Sequence, residues 1–163
     1  MSWIIVAVVG LLLAVAFTVF FGPPYLPVLD KQKHTALDLL ALAPGQTLLE
    51  LGSGDGRVLV AAAKRGLNVV GIELSPVLVV VSWLRTRRYR KQVKIIWGNY
   101  FVGSWPKADA IFTFMIGRQM TKLDSRIEQW RQDRPVQLAS FAFSIPGKKV
   151  AVEKDGVFLY RYE

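Results

Sequence analysis

Three glycines on alternate positions constrain this chain more than any other feature. Residues 47–58 read "TLLELGSGDGRV": an apolar run, then Gly52-Ser53-Gly54-Asp55-Gly56, then the start of a helical pattern. A short strand, a turn whose backbone favours glycine and a helix N-terminus form the opening unit of an α/β sheet. The turn lets a ligand approach the backbone closely, and the free N–H groups of the helix end point at it. That is a general site for anionic or polar groups. The spacing starts like a dinucleotide fingerprint, but Arg57 stands where a third glycine or alanine is wanted. This disfavours the dinucleotide reading.

The rest of the chain continues the alternation. "DKQKHTALDLLALAPG" predicts a helix with Leu37, Leu40 and Ala41 on one face, ended by Pro44-Gly45. "GRVLVAAAKRG" predicts a second, with Val58, Leu59 and Ala62 inward and Gly66 closing it. "NVVGIE" reads as a buried strand. "SPVLVVVSWLRTRRYRK" opens with Ser75 as N-cap and Pro76 at the first helical position, and Val77, Val80, Val81 and Leu84 make its apolar face. Strands follow in "VKIIWGN" and "DAIFTFMI". A helix follows in "RQMTKLDSRIEQWRQ", with Met120, Leu123, Ile127 and Trp130 at helical spacing, and a fifth strand in "VQLASFAFSI". "KVAVEKDGVFLYRY" reads as a hairpin turning at Asp155-Gly156. The four residues "PGKK" before it are too few for a crossover helix, so the last strands are expected antiparallel. The expected fold is α/β: a Rossmann-like, mainly parallel sheet with helices on both faces and an antiparallel C-terminal hairpin.

Ahead of this domain, Trp3 to Phe21 carries no charge. Nineteen residues of helix reach roughly 28 Å, close to the thickness of a bilayer's hydrocarbon core. No basic n-region and no small-residue cleavage site mark it as a signal peptide. The expectation is one N-terminal transmembrane helix. It divides the chain into an anchor at 1–22, a linker and N-terminal helix at 23–46, and the sheet domain at 47–163. "FGPPYLP" stiffens the exit from the bilayer. Lys31 and Lys33 follow the helix and nothing basic precedes it, so a single-pass protein with a cytoplasmic C-terminal domain is expected.

Composition narrows the partners. The chain has no cysteine and one histidine, His34, which excludes cysteine-ligated and multi-histidine metal sites; no metal is expected. The net charge of +9 favours an anionic partner. Much of the charge sits in "RTRRYRKQVK". Arg85, Arg87, Arg88, Arg90 and Lys91 there suit anionic lipid, nucleic acid or simply a solvated helix end, and nucleic acid is the least favoured of the three. His34 reads as a surface helix residue, and Asp124 with Glu128 as a solvated face.

The second half of the site is Glu73, ending the otherwise apolar "NVVGIE". A carboxylate at the carboxyl end of that strand faces the ligand crevice and can accept two ribose hydroxyls. Glu50 through Gly56 followed by Glu73 resembles the first two motifs of class I S-adenosylmethionine-dependent methyltransferases. The resemblance implies S-adenosylmethionine as cofactor, with Glu50, Gly52, Ser53, Gly54, Asp55 and Gly56 at its methionine part and Glu73 at the ribose. It places Asn99, where the family often has aspartate, at the adenine. The order of the apolar N-terminus, "PPYLP", "LLELGSGDGRVLVAAA", "GIELSPVLVVVSWLR" and "SFAFSIPGKK" is similar to a narrower family. These are membrane-anchored protein-lysine methyltransferases whose animal members modify the ATP synthase rotor's c polypeptide.

That resemblance implies methyl transfer to a lysine of a membrane-associated protein. Tyr25 and Tyr100 are candidates for the acceptor slot, against ordinary packing. Met115-Ile116-Gly117 lacks the Asn-Pro-Pro-Tyr-like motif that serves adenine and glutamine acceptors. Two other readings stay open: a lipid or small-molecule acceptor, and a non-catalytic cofactor-binding or scaffold protein.

Overall fold

The computed structural model describes residues 2–21, 27–132 and 134–163. On the first helix, α1 (Ser2–Phe21), side chains are described at 2–10 and 13. Tyr25 and most of the proline-rich exit lie outside the described residues. Among the described residues no helix is long and apolar enough to cross a membrane. The transmembrane anchor expected over 1–22 is therefore not established here.

The sheet has seven strands in the order β3-β2-β1-β4-β5-β7-β6. They are β1 (Thr47–Leu51), β2 (Asn68–Glu73), β3 (Val93–Trp97), β4 (Ala110–Thr113), β5 (Val136–Phe141), β6 (Val152–Lys154) and β7 (Val157–Tyr162). The first five are parallel, and β7 runs antiparallel to both β5 and β6. Between them lie α2 (Asp30–Leu40), α3 (Arg57–Lys64), α4 (Pro76–Arg85) and α5 (Met120–Arg131). One core forms where α2 and α3 cover the sheet, through Leu37, Leu40, Val58, Leu59 and Ala62. A second forms on the opposite face through Met120, Leu123 and Ile127 of α5. Strands covered on both faces must be apolar throughout, which is why β1 and β4 read as runs rather than as alternation.

Local chemistry explains the ends. The Ser75 hydroxyl accepts from the N–H of Leu78 at 3.3 Å, and Pro76 opens α4. Gly66, at φ 79, lets Leu67 N–H reach the carbonyl of Ala62 and close α3. Asp155 and Gly156 both take positive φ, the signature of a type I′ hairpin turn. Asp155 also accepts from Thr35 at 2.8 Å, tying the turn to α2.

Three expectations are corrected. Ala41 is exposed, because the chain turns left-handed there at φ 46 and ends α2. Asp124 is half-buried, accepting from Lys148 and from the Tyr162 hydroxyl at 2.7 Å each, so it is not merely solvated. The third concerns α4. Val80, Val81 and Leu84 face outward, and the buried residue of this helix is Ser82. The reason is space. A Cβ on Gly56 would come within 2.4 Å of the Ser82 hydroxyl, so α4 packs against the glycine turn closely enough to admit only a small side chain.

Candidate functional site

The parallel strand order reverses beside β1, which has β2 on one side and β4 on the other. A crevice opens at the carboxyl ends of strands at such a switch point. The glycine turn sits in it. Gly52, Gly54 and Gly56 all have positive φ, at 79°, 54° and 79°, a geometry that side chains resist. The turn is stitched to β2: Gly52 and Ser53 N–H donate to the carbonyl of Ile72 at 2.8 and 3.1 Å. Gly71 in β2 must also be small, since a Cβ there would lie 2.7 Å from Ser53 Cβ.

Glu73 is buried, and both its oxygens are engaged. Oε2 accepts the N–H of Gly54 and Oε1 that of Ser75, each at 2.8 Å. Its carboxylate thus ties the glycine turn to the start of α4. Two N–H bonds leave lone-pair positions on both oxygens.

Glu50, next to last in β1, is 3% exposed. Burial, then the negative charges of Glu73 and Asp55, holds its carboxyl well above the usual range. Among the described residues, Glu50 Oε2 and Ser53 Oγ are buried without a hydrogen-bond partner.

Tyr100 comes to the turn from the loop after β3, with its ring 3.9 Å from where a Gly52 Cβ would stand. Burial and then the charge of Glu73 push its hydroxyl up to about 12. Next to it lies a pocket of about 320 Å³ lined by Ile72, Ile96, Trp97, Asn99 and Tyr100 among others. Asn99 Oδ1 accepts from Phe101 N–H at 2.8 Å, which shapes that loop. The structure therefore brings together Glu50, the glycine turn, Glu73, Asn99 and Tyr100.

Asp55 belongs to a different set of contacts. Its carboxylate pairs with Arg57 at 2.9 Å and with Arg85 of α4. Arg57 Nη1 also donates to the carbonyl of Val28 at 3.1 Å, fastening the segment before α2 to the turn. Sequence reasoning missed Arg57, Arg85 and Ser82 as supports of the site. Arg57 carried a signal, as the residue that breaks the dinucleotide spacing. Ser82 carried a fainter one, as a hydroxyl inside an apolar helix.

A family model described as ANTKMT methyltransferase domain matches residues 50–152, from the buried glutamate of β1 to the start of the hairpin. The chain belongs to the ANTKMT methyltransferase domain family. Among relatives of this ANTKMT-family chain, the human lysine N-methyltransferase named for the c polypeptide of ATP synthase is 32% identical over 114 residues, covering 68% of this chain and 48% of that protein. The chain spans about half the length of the curated relatives of that name in human, frog and mouse. A "Protein-lysine N-methyltransferase" of Saccharolobus islandicus is 26% identical, covering 84% of this chain and 92% of its own. In three dimensions, an RNA methyltransferase from Salinibacter ruber, solved with S-adenosyl-L-homocysteine, superposes with a TM-score of 0.73 at 23% identity, over 84% of this chain and 92% of that one. The ANTKMT-family domain thus has the fold of the S-adenosylmethionine-dependent methyltransferases.

Proposed function

We propose that this protein transfers a methyl group from S-adenosylmethionine to a lysine side chain of a membrane-associated protein. The observation that carries this reading is the glycine turn locked to Glu73 at the switch point, with the Tyr100 ring against it. The residues fit the cofactor. Three positive-φ glycines leave the backbone approachable, and two buried polar atoms, Glu50 Oε2 and Ser53 Oγ, lack a partner among the described residues. The turn from Gly52 to Gly56 and Glu50 would hold the methionine part, with Asp55 bracing the turn through Arg57 and Arg85. Glu73 would take the ribose hydroxyls on its remaining lone pairs, and Asn99 would meet the adenine in the pocket beside Tyr100. When bound, the cofactor supplies an electrophilic methyl on a sulfonium with a neutral thioether as leaving group.

The protein's part is alignment and exclusion of water, and proximity supplies much of the rate. A lysine ammonium must lose its proton before it attacks, and an apolar aromatic slot lowers its pKa by desolvation. With its hydroxyl at about 12, Tyr100 stays protonated at neutral pH. It positions an amine by hydrogen bond and ring contact rather than by taking its proton.

The two relatives named above as lysine methyltransferases support the acceptor. The exposed apolar surface of α1 is what supports a membrane-associated substrate. Trp3 is 85% exposed, and Ile4, Ile5 and Val6 project with it, an apolar surface that water does not favour. On this reading 1–22 is the anchor, the lysines after it hold the catalytic domain, 47–163, on the cytoplasmic side, and exposed Arg87, Arg88, Arg90 and Lys91 meet anionic lipid. Arg85 is committed to Asp55 instead.

Calorimetric titration of S-adenosylhomocysteine into the detergent-purified chain tests the cofactor site. Glu73→Gln should weaken binding about tenfold or more, the worth of one charge-assisted hydrogen bond, with an unchanged circular dichroism spectrum. Equal affinity in variant and parent would overturn the assignment.

A further inference from the structure

The outward face of α4 is apolar, and it needs a cover that the described structure does not give it. At about 100° per residue, Trp83, Val80, Leu84, Val77 and Val81 occupy one continuous arc, and Ser82 and Thr86 lie opposite. Ser82 and Thr86 are buried, while Val80 is 57%, Leu84 51% and Trp83 50% exposed. The helix is inverted relative to an ordinary surface helix, with hydroxyls inward and valine, leucine and tryptophan outward. Its C-terminal end runs into a cationic turn, Arg87–Tyr89, followed by Arg90 and Lys91. The Arg90 guanidinium lies over the Trp83 ring at 4.7 Å. Apolar α1 touches α4.

We infer that the α4 face is a membrane-surface contact, seated among the headgroups of anionic lipid. Charge complementarity selects that occupant. The apolar arc is bordered at one end by Arg87, Arg88, Arg90 and Lys91, a pattern that pairs hydrophobic insertion with attraction to phosphate. An indole under a guanidinium suits the boundary between acyl chains and headgroups. The inference rests on the membrane reading proposed above and deepens it, because it adds a second contact and fixes the pose of the domain. Ser75 caps α4 two residues after Glu73, and the ten residues of the helix span about 15 Å. A seated α4 holds the mouth of the crevice within about that distance of the headgroup plane. Arg85, bridging to Asp55, couples the seated helix to the glycine turn.

The chain has no cysteine, so Leu84→Cys gives one attachment point for an environment-sensitive fluorophore, and Thr121→Cys, at an exposed position of α5, gives a control. Each labelled full-length chain is mixed with vesicles of phosphatidylcholine, with or without phosphatidylglycerol, and association is read separately by flotation. The expected result is a blue-shifted, several-fold brighter Leu84→Cys signal on the anionic vesicles. Shallow nitroxide lipids should quench it and leave the Thr121→Cys signal unchanged. Arg87→Glu with Arg88→Glu should reduce the change at Leu84→Cys while flotation persists. A chain that floats while the Leu84→Cys label stays in water overturns the α4 contact and spares the α1 reading. A chain that does not float on either vesicle overturns both. A label buried without vesicles as protein concentration rises points to a second copy on this face and overturns the lipid assignment.

Discussion

At the residue scale the site is held by a few groups whose neighbours are specific. Glu50 is the clearest. Its folded pKa is raised above the unfolded value, so the folded state binds a proton that the unfolded chain releases. Stability from this group is present below the unfolded value, near 4.3, and is lost as pH rises toward the folded pKa. Glu50→Gln should therefore be more stable than the parent in urea melts at pH 8, and that advantage should shrink as pH falls toward 4. The glycines separate two costs. Gly45 has φ +88 and nothing within 4 Å, so Gly45→Ala should cost only the left-handed penalty, about 1 kcal/mol. Gly56→Ala adds a collision with Ser82 and should cost roughly 2–4 kcal/mol in the same melts. The role of Glu73 as a strand-end carboxylate was legible in the apolar run that precedes it. Its double hold on Gly54 and Ser75 was not, because hydrogen bonds across 19 residues depend on the turn's three-dimensional path. Asp55 shows the same limit, since its arginine partners include one 30 residues away.

At the element scale the helix starts and the hairpin were readable because their signals are local. Ser75 before Pro76 marked α4, and Ser75→Ala should cost about 1 kcal/mol, measured by thermal unfolding. Asp155-Gly156 marked the turn between β6 and β7. Which face of α4 points inward was not readable. Periodicity reports that apolar residues share a stripe, and it does not say whether protein or lipid covers the stripe. The close approach of Ser82 to Gly56 decides the matter, and that approach is tertiary. The same holds for α2, whose end at Ala41 was expected at Pro44-Gly45.

At the scale of the whole molecule, the alternation of strands and helices with a short final connection led to the mixed sheet that the structure has. The connection "PGKK" excluded a crossover helix, and β7 accordingly pairs antiparallel with β5. The strand order itself, with β7 inside β6, was not written in any local pattern. That order puts the switch point at β1 and so gathers the glycine turn, Glu73 and Tyr100 in one crevice. On the proposed function, this crevice delivers a methyl group to lysine on a membrane protein. The most direct measurement incubates the detergent-purified chain with tritiated S-adenosylmethionine and separated soluble, membrane-protein and lipid fractions of its source cells, with Glu73→Gln alongside. The expected result is label in a membrane-protein band, located on lysine by mass spectrometry and lost with the variant. Label confined to the lipid fraction, or no transfer to any fraction by a chain that binds the cofactor, would contradict it.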